Sequence, residues 1–189
     1  MSNYNVKDNA LIDSNIEENY NYLFNEVNNT KTRFIKDHLK ILKEYASECN
    51  HITEMGVDSA NTTWSFLSSR PKKLISIDIL NTKAPSIIKL AEDLAKKENI
   101  DFKFILDSTL EIEIEPTEFL FIDTLHTYDQ LKVELSLHSG KVSKYIAMHD
   151  TGMFPDMNKA LIEFLNMNQD WEKVYETSES CGLTIIKRK

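Results

Sequence analysis

Four times in this chain a short β-branched and aromatic run stops on an aspartate. The runs are Lys73-Leu-Ile-Ser-Ile-Asp78, Phe102-Lys-Phe-Ile-Leu-Asp107, Glu118-Phe-Leu-Phe-Ile-Asp123 and Lys144-Tyr-Ile-Ala-Met-His-Asp150. A fifth, His51-Ile-Thr-Glu-Met, stops at Gly56, after which Asn61-Thr62-Thr63 offer helix caps for the apolar run Trp64, Phe66 and Leu67. Apolar residues at helical spacing occupy Ser86 to Lys97, Tyr128 to near Gly140 and Met157 to Met167, with Thr127-Tyr-Asp-Gln130 in the form of a capping box. Strands alternating with helices predict a doubly wound, mostly parallel α/β sheet, and such sheets bind ligands at the carboxyl ends of their strands.

The rest of the chain completes that sheet. Trp171-Glu-Lys-Val-Tyr-Glu and Gly182-Leu-Thr-Ile-Ile-Lys have only the polar link 177–181 between them, which predicts a C-terminal antiparallel hairpin. Glu111 to Glu115, EIEIE, alternates like a strand, but the stretch after Asp107 is short for a parallel crossover; a short helix or an extended connection is expected. Ahead of the sheet, Tyr20, Leu23, Phe24 and Val27 give one helix over Ile16 to Asn28. Phe34, Ile35, His38, Leu39, Leu42, Tyr45 and Ala46 give a second from Thr32 to Cys49. His38 on that apolar face reads as a satisfied core histidine. The domain expectation is a loose arm over residues 1–15 and a single domain over 16–189, with a helical cap at 16–50 and a sheet core at 51–189.

Charge narrows the partners. With 30 acidic against 22 basic residues and a formal charge of -8, the chain lacks the basic clusters that phosphate backbones require, so no nucleic-acid partner is expected. No apolar run approaches the ~20 residues that span a bilayer, so no membrane partner is expected either. MSNYNVKDNA carries no leader pattern, and the expectation is a cytoplasmic protein acting on a small molecule, with the N-terminal helices offering a homodimer surface. Cys49 and Cys181 belong to no CxxC pair and read as reduced structural thiols.

A strand, a turn at Gly56 and a helix N-terminus point backbone N–H groups at an anionic or nucleotide-like ligand. Asp78 lies about 20 residues beyond Gly56, the offset at which an acid takes ribose hydroxyls in dinucleotide folds. Parallel strands also bring Asp123, His126, His149 and Asp150 to one sheet edge, where two chemistries fit. A histidine can act as general base toward a hydroxyl. Alternatively Asp123, His149 and Asp150 can hold a divalent cation such as Mg²⁺.

The order of elements, the Glu54-Met-Gly56 turn, the acid ending the second strand, Ile122-Asp-Thr-Leu-His126-Thr-Tyr-Asp129 and the terminal His149-Asp150 resemble class I S-adenosylmethionine-dependent methyltransferases. The closer likeness is to the small branch related to sugar and antibiotic O-methyltransferases, and it covers about residues 30 to 189. It implies a Rossmann-like sheet and a cofactor site at Glu54, Gly56, Asp58, Asp78, Asp107, Ser108 and Asp123. Glu54 would stand beside the methionine ammonium, and Asp107 and Ser108 would face adenine. It also implies O-methylation of a small hydroxylated metabolite or sugar at His126, His149 and Asp150. The chain departs from the pattern at Ala60, where relatives have a second glycine, at Thr124-Leu125 in the fourth motif, and at Ser143-Lys144, where Pro-Gly-Gly is common. A nicotinamide-dependent oxidoreductase, disfavoured by the lack of GxGxxG, and a non-catalytic cofactor-binding module are the alternatives.

Overall fold

The computed structural model describes residues 15–27, 35–80 and 85–189. The arm expected over residues 1–15, all but Asn15, lies outside it, as do the side chains of Leu23, Phe24, Val27 and Phe34. Among the described residues the strands are β1 (His51–Met55), β2 (Lys73–Asp78), β3 (Asp101–Leu106), β4 (Thr117–Ile122), β5 (Val142–His149), β6 (Trp171–Thr177) and β7 (Leu183–Arg188). They form one sheet in the order β3-β2-β1-β4-β5-β7-β6. β1 to β5 run parallel, and β7 is antiparallel to both β5 and β6, which is the expected mostly parallel sheet closed by a hairpin.

Period-two alternation sorts the side chains between two faces. Ile52, Leu74, Phe119, Phe121, Tyr145, Ala147, Leu183 and Ile185 face one core, shared with α2 (Lys36–Ala46), α3 (Asn61–Ser68) and α4 (Pro85–Lys97). Ile16 of α1 (Ile16–Val27) joins the same core, and α1 packs on α3. The Phe66 ring lies 5.6 Å from that of Phe119 and 5.4 Å from that of Phe121, and all three are fully buried. Each such ring contributes about 1.5–3 kcal/mol by burial. Met55, Ile77, Leu120, Ile122, Ile146, Met148 and Ile186 face the other core, covered by α5 (Tyr128–His138) and α6 (Pro155–Met167). None of these helices is long and apolar enough to cross a membrane.

The EIEIE segment forms neither a strand nor a helix: it begins in a turn, with the amides of Glu111 and Ile112 donating to Ser108 O, and continues as irregular chain to β4. Ile112 and Ile114 pack into the α5/α6-side core, where a crossover helix would otherwise lie. Glu113 and Glu115 point outward to Lys141 and Lys73, at 2.8 and 2.5 Å. At the start of α3 the expected capping by Asn61, Thr62 or Thr63 is not made. Ala60, at φ +61°, is the N-cap residue without a side-chain bond, because the two threonine hydroxyls turn inward to Glu54. Thr127 does cap α5, accepting from Gln130 N at 3.3 Å.

The chain leaves β1 toward β2 on one side and later returns as β4 on the other, so a crevice opens where the strand order reverses. Gly56 closes the bottom of that crevice at φ +84°, and a Cβ built on it would fall 1.9 Å from the carbonyl oxygen of Asp123. The glycine is thus required by the neighbouring strand's own backbone. Gly56→Ala combines a forbidden contact with an unfavourable φ and is expected to destabilise the chain by roughly 3 kcal/mol or more. Urea unfolding of the two proteins measures the difference, and a loss under about 1 kcal/mol would mean that the close approach relaxes freely.

Candidate active site

The crevice holds a cleft of about 490 Å³ lined by the turn 56–58, by Ile77 to Leu80 at the end of β2, by Ser108 to Leu110 after β3, by Asp123 to Leu125 after β4, and by Gln130 of α5. Asp78 lines it and organises the turn beside it. Oδ2 of Asp78 accepts from the amides of Val57 (2.8 Å) and Asp58 (3.2 Å), and Oδ1 accepts from Leu80 N (2.8 Å). One carboxylate therefore ties the glycine turn to the end of β2. A carboxylate has about four lone-pair positions, so acceptor capacity remains toward the cleft. Ile79 and Leu80 are each 69% exposed and Leu125 is 64% exposed, an apolar rim around a polar floor.

The other expected cofactor residues are distributed unevenly. Gly56, Asp58, Ser108 and Asp123 line the cleft, whereas Asp107 is exposed beside it and accepts from the amide of Ser108 at 2.7 Å. Glu54 is absent from the cleft surface. It is fully buried beneath the turn, accepting from the hydroxyls of Thr62, Thr63 (2.8 Å) and Ser76 (2.5 Å). Residue 54 points to the α3 side of the sheet, the same side as Ile52, so the strand's alternation aims it away from the ligand. Burial pushes its carboxyl up to about 7 against the opposing pull of the three hydroxyls.

Behind the cleft lies a second buried acid that no motif in the sequence singles out. Glu134 on α5 accepts from Thr109 (2.6 Å), Thr124 (2.8 Å) and the Gln130 amide (2.7 Å), fixing the loops after β3 and β4 against each other. His138 adds a contact from its Nε2 to the carbonyl of Thr109 at 2.6 Å. The signal available in the sequence was Gln130 and Glu134 four residues apart on an otherwise apolar helix face.

Beyond Asp123 the cleft meets a cluster of carboxylates and imidazoles. His126 Nε2 lies 3.2 Å from Asp123 Oδ1 and 2.9 Å from Asp150 Oδ2, and its ring stacks on Phe154 with centroids 4.7 Å apart. His149 Nδ1 stands 3.4 Å from Asp123 Oδ1 and 3.3 Å from Asp150 Oδ2, within ion-pair reach. The Asp123 and Asp150 carboxylates lift His126 to about 9. Burial opposes the charge of His149, but the same two carboxylates outweigh it and lift that ring to about 9 as well. Reciprocally, both carboxyls stay below the usual aspartate range although burial works against it. His126 retains 28% of its side-chain exposure against 6% for His149, so His126 is the imidazole a ligand can reach.

This cluster does not fit Mg²⁺. Asp123, His126 and Asp150 bring one donor atom each to within 4.8 Å of one another, and Nδ1 of His149 reaches the same two carboxylates at 3.4 and 3.3 Å. Ring nitrogens approach the same two carboxylate oxygens from two sides, whereas Mg²⁺ demands a near-octahedral shell of oxygen. For the other chemistry, a histidine acting as general base, the paired carboxylates hold both rings well above the ordinary imidazole pKa.

No protein-family model matches the chain, and no curated protein matches it. Solved structures do. An O-methyltransferase from Bacillus cereus in complex with SAH shares 14% identity over 96% of this chain and 94% of its own, with a TM-score of 0.59. TomG from Streptomyces achromogenes, an O-methyltransferase of tomaymycin synthesis in complex with SAM, shares 14% over 82% and 80%, with a TM-score of 0.55. Magnesium protoporphyrin IX methyltransferase from Synechocystis PCC 6803, with bound SAH, shares 10% over 83% and 86%, with a TM-score of 0.62. The sheet order and hairpin are therefore those of the class I S-adenosylmethionine-dependent methyltransferase fold.

Glu54 makes a prediction about stability. Its folded pKa of about 7 exceeds the ordinary 4.5, so the folded chain favours the protonated form and loses stability as pH rises between those values. The loss amounts to about 3 kcal/mol at most. Glu54→Gln removes that dependence, so its melting temperature relative to the unmodified chain should be higher at about pH 8 than at about pH 5. The same difference at both pH values would contradict the shift.

Proposed function

We propose that the chain is an S-adenosylmethionine-dependent methyltransferase acting on a hydroxyl of a small molecule, a metabolite or a sugar. The observation that supports this reading best is the meeting of two different surfaces at Asp123. On one side is a cleft with a carboxylate floor and an apolar rim; on the other is a carboxylate–imidazole cluster with one accessible ring.

The cleft fits the cofactor in size and chemistry, since ligand pockets run from about 300 to 1,000 Å³ and are mostly apolar with a few placed polar groups. Asp78 would take the ribose hydroxyls with its remaining lone pairs, Ser108 and Leu110 would border the base, and Gly56 and Asp58 would border the methionine end. Bound there, the cofactor supplies an activated methyl group. Ile79, Leu80 and Leu125 would cover the ligand and exclude water from it.

The protein's own work is done at the cluster. His126 would receive the acceptor's hydroxyl proton, and the imidazolium so formed is held by Asp123 and Asp150. Phe154 keeps its ring face-on, and His149, with little exposure, supports the carboxylates from behind. As long as His126 sits near 9, only a minor fraction is in the base form at neutral pH. Methyl transfer should therefore climb with pH, reach half of its maximum near pH 9 and level off above that.

Calorimetry with SAH, with NAD as the control, tests the cofactor half. Heat with SAH alone supports the reading; heat with NAD alone would favour an oxidoreductase, and silence toward both would leave the fold without this activity. Asp78→Ala should weaken SAH about ten- to a hundredfold, the loss of charged hydrogen bonds of about 1.5–3 kcal/mol. Radiolabelled methyl transfer to catechol and to methyl glucoside tests the acceptor half, and His126→Ala should abolish it while leaving SAH affinity unchanged. Equal loss of SAH binding in both variants would refute the division of roles.

A further inference from the structure

We infer that His38 is a positioning residue of the candidate active site, which through a single hydrogen bond dictates the nitrogen that His149 turns toward Asp123 and Asp150. The inference rests on reading that cluster as the acceptor site. His38 belongs to α2, far from the cluster in sequence, and is only 2% exposed. Its Nε2 lies 3.1 Å from the carbonyl oxygen of Glu179, in the link between β6 and β7. A carbonyl only accepts, so Nε2 of His38 must carry a hydrogen.

A neutral imidazole has one N–H, which leaves Nδ1 of His38 bare. Burial and the neighbouring His149 hold His38 neutral, down at about 4. That bare Nδ1 lies 3.0 Å from Nε2 of His149, and the two rings meet edge-on with centroids 5.0 Å apart at 75°. Nε2 of His149 must then be the donor. The ring of His149 is thereby held so that Nδ1, and not a ring carbon, faces Asp123 Oδ1 and Asp150 Oδ2.

The anchor of this relay is itself fixed. Cys181 O, two residues beyond Glu179, accepts from Gly152 N (2.9 Å) and Met153 N (2.8 Å), which locks the hairpin link onto the turn that follows Asp150. Gly182 allows that approach, since a Cβ there would meet Gly152 N at 2.0 Å. A hydrogen-bond chain thus runs from the hairpin link through α2 to β5, and His38 reaches no part of the cleft lining. Its effect on chemistry must pass through His149.

The test uses the full chain labelled with ¹⁵N at histidine. A scalar coupling across the N–H···N bond, correlating Nε2 of His149 with Nδ1 of His38, is expected in the unmodified protein and should vanish in His38→Leu. Calorimetry should give SAH affinities within about twofold for both. With catechol or methyl glucoside, whichever supports transfer, His38→Leu should lower kcat about a hundredfold, the scale of a group misplaced by an ångström, with a smaller change in KM. His38→Gln, whose amide offers both an acceptor and a donor, should recover most of the loss, which a merely space-filling role would not produce. The inference is overturned if the unmodified protein shows His149 with its hydrogen on Nδ1 and a bare Nε2. It is equally overturned if His38→Leu turns over as fast as the unmodified chain. Should His38→Leu fail to fold, the coupling in the unmodified protein and the turnover of His38→Gln decide. Should no acceptor be methylated, the proposed function fails, and the coupling still decides the role of His38.

Discussion

The carbonyl oxygen of Asp123 stands where any side chain on residue 56 would be. This contact between the ends of β1 and β4 sets the geometry of everything that follows. Gly56 N donates to Ile77 O at 2.9 Å and Asp123 N donates to Met55 O at 2.8 Å, so three strand ends are tied together at the reversal of the sheet. The crevice therefore has a floor of backbone, and Asp123 is held where it borders both the cleft and the cluster. A looser join would separate those two surfaces, and with them the reacting groups they would hold.

Acids at the strand ends turn out to serve the protein before any ligand. Asp78 spends three acceptor positions on the amides of Val57, Asp58 and Leu80, and Asp107 folds back on Ser108. Glu54 and Glu134 are completely buried and work as hubs for hydroxyls that come from separate segments. A buried carboxylate is costly unless its lone pairs are occupied, which is why each is surrounded by donors. What remains for a ligand is the cleft surface of Asp78 with Asp58, Ser108 and Asp123 beside it, and an apolar rim.

At the cluster the problem is charge. Two carboxylates this close would repel strongly if left alone, and one would be expected to stay protonated. Imidazoles on either side reverse that outcome, holding both acids ionised and both rings above their ordinary pKa. His38 sits behind this arrangement as a neutral ring, and so links the N-terminal helices to a site built on the sheet.

The sequence by itself determined the class of sheet, the closing hairpin and which strand ends would meet. Period-two runs, helical spacing and turn residues are local signals, and parallel pairing then brings Asp78, Asp123 and Asp150 to one edge. It also marked the departures at Ala60 and Thr124-Leu125, the first of which proved to be a left-handed N-cap and the second part of the cleft wall. Only the tertiary structure decided which acids face the cleft. The alternation of β1 turned Glu54 inward, and the absence of a crossover helix after β3 let Ile112 and Ile114 cover the sheet instead. His38 looked like a core histidine because burial is all that an apolar helix face can report. That its ring meets His149 depends on α2 and β5 coming together across more than half of the chain, which no local pattern encodes.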